Sequence, residues 1–213
     1  MAEVKTITEQ IYSNIYELII SGKFPAGARL TMKTLQEELG VSSSPIREAL
    51  TRLQQDGLVE YQPNSGVRVR VYTPRDVVSL FTLMADLDSL ALKYALNSNN
   101  INELIEQLKE NAQESRLALL GNQIEEWRRL TDYYHALVIQ FINNPFLQDS
   151  LERIYRHINV FSIRYEADDS VRRRIQDEHE EVIVLMEQNK KEDAITLYRE
   201  HVLSSRNEAL KSL

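Results

Sequence analysis

The sequence contains no cysteine, which excludes disulfide bonds and any zinc site built on thiolates. It contains no run of 18 apolar residues, the length a membrane-spanning helix needs. Its opening residues, Met1-Ala2-Glu3-Val4-Lys5, lack the charged and apolar regions of a secretory leader. There is no internal repeat, no low-complexity tract, no phosphate-cradling loop and no nucleotide-binding motif. These absences predict a cytoplasmic protein, and its 213 residues suffice for one large domain or two small ones.

An excess of positive charge is also lacking: the formal net charge is −7. The deficit is uneven. Residues 1–73 hold eight Lys/Arg and eight Asp/Glu, whereas residues 74–213 hold 17 and 24. The acid therefore sits in the second part. In the first part, Lys33, Arg47, Arg52, Arg68 and Arg70 fall on one motif, and local placement of charge decides phosphate binding.

That motif is residues 31–71. Thr31 is placed to cap a short helix that ends near Gly40. Ser42, Ser43 and Ser44 precede Pro45, which suits the first turn of a second helix running to Gly57. Leu58–Tyr61 and Val67–Val71 read as short strands, with Pro63-Asn64-Ser65-Gly66 turning between them. Helix, turn, helix, strand, turn, strand is the order of a winged helix-turn-helix, whose second helix suits the major groove of DNA. Such a helix needs a polar tip and an apolar back. The three serines and Arg47 supply the tip, and Ile46, Ala49, Leu50 and Leu53 supply the back. Ahead of the motif, Ile7, Ile11, Ile15, Leu18 and Ile19 recur at helical spacing.

Thr73-Pro74-Arg75-Asp76 starts a further helix. Breaks at 97–100, 121–122, 143–145, 167–169 and 189–190 then divide the remainder into six helices of about 20 residues, an antiparallel bundle. The expected fold class is mainly α, with a winged helix-turn-helix over 1–73 and an all-α bundle over 74–213. The single tryptophan, Trp127, reads as packing. The four histidines, His135, His157, His179 and His201, are 22 residues apart, and the breaks fall about midway between them. Residues equidistant from a turn lie at the same height in an up-down bundle, so the histidines are expected in one layer. Neutral imidazoles that converge in this way can bind a divalent transition metal.

The stretch V-S-S-S-P-I-R-E-A-L-T-R-L-Q-Q-D-G-L-V, with Gly66 beyond it, resembles the DNA-binding domain of the GntR family of bacterial repressors. The resemblance implies a homodimer on a palindromic DNA operator. It makes Lys33, Ser42, Ser43, Ser44 and Arg47 DNA-contacting positions, with Gly66 at the wing tip. Many members carry Arg where this chain has Ser43. A serine cannot grip guanine through two bonds as a guanidinium does, so a different operator is implied.

The segments D-Y-Y-H-A-L-V-I-Q-F-I-N-N-P-F-L, D-E-H-E-E-V-I-V-L-M-E-Q-N-K-K-E-D-A and L-Y-R-E-H-V-L resemble the FCD effector domain of the FadR subfamily, in its six-helix, VanR-like branch. Metal-binding members hold an ion with one Asp and three His. His135, His179 and His201 match the histidines, and His157 is left as a pocket neighbour. The aspartate position holds Thr131. Asp132 is next door, about 100° round the helix. Met84 stands where many members place an arginine suited to an organic-acid effector, and Asp88 replaces the family's Glu. Met84, Asp88, Thr131, Asp132 and Arg164 are therefore the expected effector-binding residues. Arg172, Arg173 and Arg174 are expected on the surface.

The function expected is a ligand-responsive transcriptional regulator, a repressor released from its operator by a small-molecule effector, with a divalent ion such as zinc, nickel or manganese in the bundle. One alternative is a metal-dependent enzyme that uses Glu178 or Glu180 as general base. Another is a helical interaction module, against which the basic residues of the winged segment argue.

Overall fold

A computed structural model describes residues 6–63 and 66–213. The backbone divides into two compact units. One holds residues up to 75 together with 159–163, and the other holds 76–158 and 164–213.

The first unit starts with α1 (Ile7–Ile20). A capping box fixes its start: the Thr6 hydroxyl accepts from the Glu9 N–H at 3.2 Å, and the Glu9 carboxylate accepts from the Thr6 N–H at 2.8 Å. Its inner stripe is Ile11, Ile15 and Ile19. α2 (Met32–Leu39) is capped by Thr31 and ends at Gly40, whose φ of 67° is left-handed. No neighbour crowds Gly40, so backbone conformation and not space calls for glycine there. α3 (Ser43–Gln55) follows, with Pro45 in its first turn. Its buried face is Ile46, Ala49, Leu50 and Leu53, the set expected from spacing.

The wing is β2 (Val59–Gln62) paired antiparallel with β3 (Gly66–Val69), with Glu60 opposite Arg68 and Tyr61 opposite Val67. Asn64 and Ser65 of the expected turn lie outside the described residues. A third strand, β1 (Arg29–Leu30), pairs with β3 and gives the order β1-β3-β2. Two residues are too short to carry an alternating pattern, which is why sequence reading passes over it. Leu30, Val59 and Val69 join the α1 and α3 stripes in one core. Leu53 is fully buried within that core. Leu53→Ala should lower stability by about 2–5 kcal/mol, read as an earlier denaturant midpoint for this unit.

The second unit contains six helices: α4 (Pro74–Ala95), α5 (Ile101–Leu120), α6 (Ile124–Gln140), α7 (Pro145–Tyr165), α8 (Asp169–Glu187) and α9 (Lys191–Lys211). Connections of three to five residues make successive helices reverse direction. α5 packs against α6 and α8, and α8 against α9. Trp127 is fully buried and its indole N–H donates to Gln176 Oε1 at 3.1 Å, a packing role. Arg172 departs from the surface placement expected of it. It is buried, and its guanidinium donates to the Glu166 and Ala167 carbonyls at 2.6 and 2.9 Å, satisfying carbonyls of the turn that follows α7. Among the described residues, no helix is long and apolar enough to cross a membrane.

Candidate DNA-reading surface and candidate metal centre

The apolar back of α3 locks into the core and turns the opposite face outward. Ser42, Ser44 and Arg47 are exposed and Ser43 is half-buried. Ser42 occupies the N-cap position but makes no capping hydrogen bond through its side chain. The first N–H groups of the helix and three hydroxyls therefore form one polar tip, where the helix dipole favours an anion. Lys33 on α2 is exposed and pairs only loosely with Glu37, at 3.9 Å. Gly66 opens β3 with a φ of 78°.

The basic residues of the motif do not all face outward. Arg68 donates to the Gly27 carbonyl at 2.8 Å. Arg70 lies over the Tyr72 ring, 5.1 Å from its centre. Arg52 lies over Tyr12 and sits 3.9 Å from Glu9. Lys33 and Arg47 are the two whose charge is presented to solvent at the tip.

In the helical unit, α6, α8 and α9 bring His135, His179 and His201 together. All three are buried, and one nitrogen from each lies within 4.8 Å of the others. The Nε2 atoms of His179 and His201 are 3.2 Å apart. Tyr134 stacks flat on His179 at 3.9 Å between ring centres. His157 on α7 is buried but does not join this group. Equal spacing puts four histidines at one height, but only three have the helical phase to converge.

The outer nitrogens are held as well. His201 Nδ1 contacts Glu178 Oε2 at 2.6 Å. His135 Nδ1 contacts the Tyr198 hydroxyl at 2.8 Å and lies 3.6 Å from Asp88 Oδ2. The Tyr155 hydroxyl donates to Asp88 at 2.8 Å. Sequence reading missed Tyr155 and Tyr198, because nothing local marks a tyrosine on α7 or α9 as facing a histidine on α6.

Charge at this site is unbalanced. Burial, with the neighbouring His201, holds His135 well below the usual imidazole range. Burial, then His201 and His135, does the same to His179. Burial pushes Asp88 up to about 7, with the Tyr155 hydroxyl pulling the other way. Among the described residues, no lysine or arginine pairs with Asp88. Thr131, one turn before His135 on the same helical face, is buried and its hydroxyl has no hydrogen-bond partner. Three converging imidazoles, a buried carboxyl group with no cation paired to it and an orphaned hydroxyl line this pocket. A divalent ion of borderline softness fits this donor set.

The remaining expected effector residues are dispersed. Met84 and Asp88 are buried on α4. Asp132 is exposed and lies outside the histidine group. Arg164 is exposed and donates to the Ser212 carbonyl at 3.3 Å. Glu178 is committed to His201 and Arg174, and Glu180 to Arg116 and Gln176, so neither carboxylate stands ready as a base.

A winged helix-turn-helix unit followed by a six-helix unit with a buried histidine centre is the architecture of a DNA-binding transcription regulator. Residues 7–69 match the bacterial regulatory proteins of the gntR family, and residues 79–204 match the FCD domain. The chain belongs to the gntR family and carries an FCD domain. It is 28% identical to the HTH-type transcriptional regulator YdhC of Bacillus subtilis, over 93% of this chain and 87% of that protein. It is 24% identical to the HTH-type transcriptional repressor RspR of Escherichia coli, over 78% and 71% respectively. Among solved structures, Escherichia coli McbR/YncC shares the fold with a TM-score of 0.80 and 21% identity, covering 94% of this chain and 95% of that one.

Proposed function

We propose that this regulator binds a palindromic operator as a homodimer and that a small-molecule effector, bound in the helical unit, releases it. In this reading, the domain over residues 1–73 reads DNA and the domain over 74–213 senses and dimerises. Ser42, Ser43, Ser44 and Arg47 enter the major groove, Lys33 meets phosphate, and Gly66 lets the wing turn tightly beside the duplex. The observation that carries it is the α3 tip, where a locked apolar back presents Arg47 and a polar helix start to solvent. Fluorescence anisotropy on duplexes from the chain's own upstream region tests it. Sequence-selective binding that weakens steeply with salt is expected. Equal affinity for unrelated duplexes at every salt concentration would defeat it.

The dimer has support on α4. Leu80, Leu83, Leu87, Leu90 and Tyr94 recur there at alternating steps of three and four, the spacing of a helix–helix seam. Leu83 and Tyr94 are 48% and 45% exposed, whereas the opposite face of the helix, with Val77, Phe81, Ala85 and Leu92, is buried. A second copy of the chain would cover this stripe. Introducing Leu83→Glu with Leu90→Glu should convert a sedimenting dimer to monomer and weaken operator binding, because two half-sites are then no longer held together. A dimer of undiminished stability would place the interface elsewhere.

His135, His179 and His201 would hold the divalent ion, with zinc, nickel and manganese the candidates. Bound there, the ion would supply a Lewis-acidic centre, and three histidine donors, with Thr131 in place of the family's aspartate, would leave it an open position for a further ligand. Met84 offers no charge to a carboxylate. An effector in this pocket, an organic acid included, would depend on that open position and on Asp88 and Thr131, with Asp132 and Arg164 too exposed to enclose it. Release requires the effector to favour one dimer arrangement over the other.

A further inference from the structure

We propose that Glu178, braced by Arg174, is a positioning residue for the metal centre, holding the hydrogen of His201 on Nδ1 so that its Nε2 lone pair is free for an ion. The inference rests on the metal-binding reading above.

Each link is a direct contact. His201 Nδ1 and Glu178 Oε2 are 2.6 Å apart. A carboxylate only accepts, so the hydrogen between them belongs to the imidazole. A neutral imidazole carries one hydrogen, and with Nδ1 holding it, Nε2 presents the lone pair. That nitrogen is 3.2 Å from His179 Nε2, inside the three-histidine group. A hydrogen bond with one ionised partner is roughly twice as strong as one between neutral groups, so the ring is held firmly in this form. A ligating histidine ordinarily has its other nitrogen bound in this manner, and loss of such an outer partner commonly weakens metal binding 10- to 100-fold.

The carboxylate is held in turn. Arg174, one turn earlier on α8, places Nη1 3.1 and 3.2 Å from the two Glu178 oxygens and 2.8 Å from the Ser204 hydroxyl oxygen. Ser204 stands on α9, on the turn after His201. Arg174 therefore braces the α8 carboxylate against the helix that carries the histidine. Both side chains of the Arg174–Glu178 pair are partly buried, where charges are screened less than on the surface. His135 is held differently. Its Nδ1 meets the Tyr198 hydroxyl, which can give or take a hydrogen, so that contact permits either form of the ring. α8 thus serves the centre twice, with His179 as a donor and Glu178 behind the donor from α9.

Glu178→Gln keeps the volume but leaves one acceptor oxygen for two donors. When that oxygen serves Arg174, the amide hydrogens face Nδ1 and favour the ring with its hydrogen on Nε2. The experiment uses the full chain at pH 8, stripped with chelator and titrated with zinc against a competing indicator. Before zinc is added, the imidazole nitrogens of His201 are followed by long-range ¹⁵N–¹H correlation. The parent should show a hydrogen on Nδ1, and Glu178→Gln should bind zinc about 10- to 100-fold more weakly with His201 shifted toward the Nε2–H form. Arg174→Leu, which keeps the carboxylate but removes its brace, should show a smaller loss of affinity with Nδ1–H retained. A merely structural role would lower the melting temperature of Glu178→Gln without moving the His201 nitrogens. Unchanged affinity with Nδ1–H retained in Glu178→Gln overturns the role of Glu178 alone, and parent-like affinity in Arg174→Leu overturns the brace. A parent chain that takes up no zinc overturns both and the metal reading with them.

Discussion

Arg47→Ala should fold normally and bind the operator about 30- to 25,000-fold more weakly than the parent. The lower bound comes from one good guanidinium–base contact in each half-site, at about 1 kcal/mol per copy, and the upper from about 3 kcal/mol per copy. Folding should be spared because the Arg47 side chain is exposed, and substitutions at such positions usually change stability by less than about 0.5 kcal/mol. The hydrogen bond from the Thr51 hydroxyl to the Arg47 carbonyl at 2.9 Å uses backbone and survives the change. Anisotropy titrations across a series of salt concentrations and mutated operators then separate two roles. If Arg47 reads a base, discrimination relaxes at one position in each half-site. If it meets phosphate, affinity falls evenly for all sequences and the salt slope drops by about one per copy. Affinity within twofold of the parent would remove the α3 tip as the reading element.

His179→Gln should abolish metal-induced stabilisation. At a thousandfold excess over its dissociation constant, a bound ion stabilises the folded state by about 4 kcal/mol. For a chain of this size, that is a rise in melting temperature of about 8–16 °C. His179 is the middle of the group, 4.7 Å from the His201 ring and 5.1 Å from the His135 ring, and is one of the three donors that converge there. Removing it costs more than removing an outer partner, on the order of a thousandfold in affinity by extension of that series. Glutamine is the better substitution, because alanine would also empty the space against Tyr134, stacked at 3.9 Å, and lower the melting temperature of the metal-free protein. The quantity to compare is the shift on adding zinc to chelator-treated protein, by calorimetry. A shift as large as the parent's would show that the ion binds elsewhere.

Much of this molecule is legible in its sequence, because the relevant signals are local. Thr31 and Gly40 mark helix ends through a hydrogen-bonding group and backbone freedom that need no tertiary partner. The six helices of the second unit end where Asn, Gly, Pro and Asp cluster. α3 shows its two faces in the order of its residues, since a period of 3.6 sorts Ile46, Ala49, Leu50 and Leu53 away from the serines and Arg47. What escaped was short or depended on rotation. β1 is two residues long. Arg172 turns inward because two carbonyls of the turn after α7 need donors, and no pattern in its own helix announces that need. Arg68 and Arg70 turn back onto their own unit for the same kind of reason.

The sequence by itself determined the height of each histidine in the bundle, because distance from a turn sets height along a helix at a fixed rise per residue. It also determined that Thr131 stands one turn before His135 on the same face. Only the tertiary structure decided that three histidines converge while His157 does not, that the Thr131 hydroxyl is left without a partner, and that Tyr198 meets His135 while Tyr155 holds Asp88 beside it. Those outcomes depend on how each helix is rotated about its axis against its neighbours and on the rotamer each side chain then takes. Packing of whole faces sets both, and the spacing of residues within one helix does not carry that information.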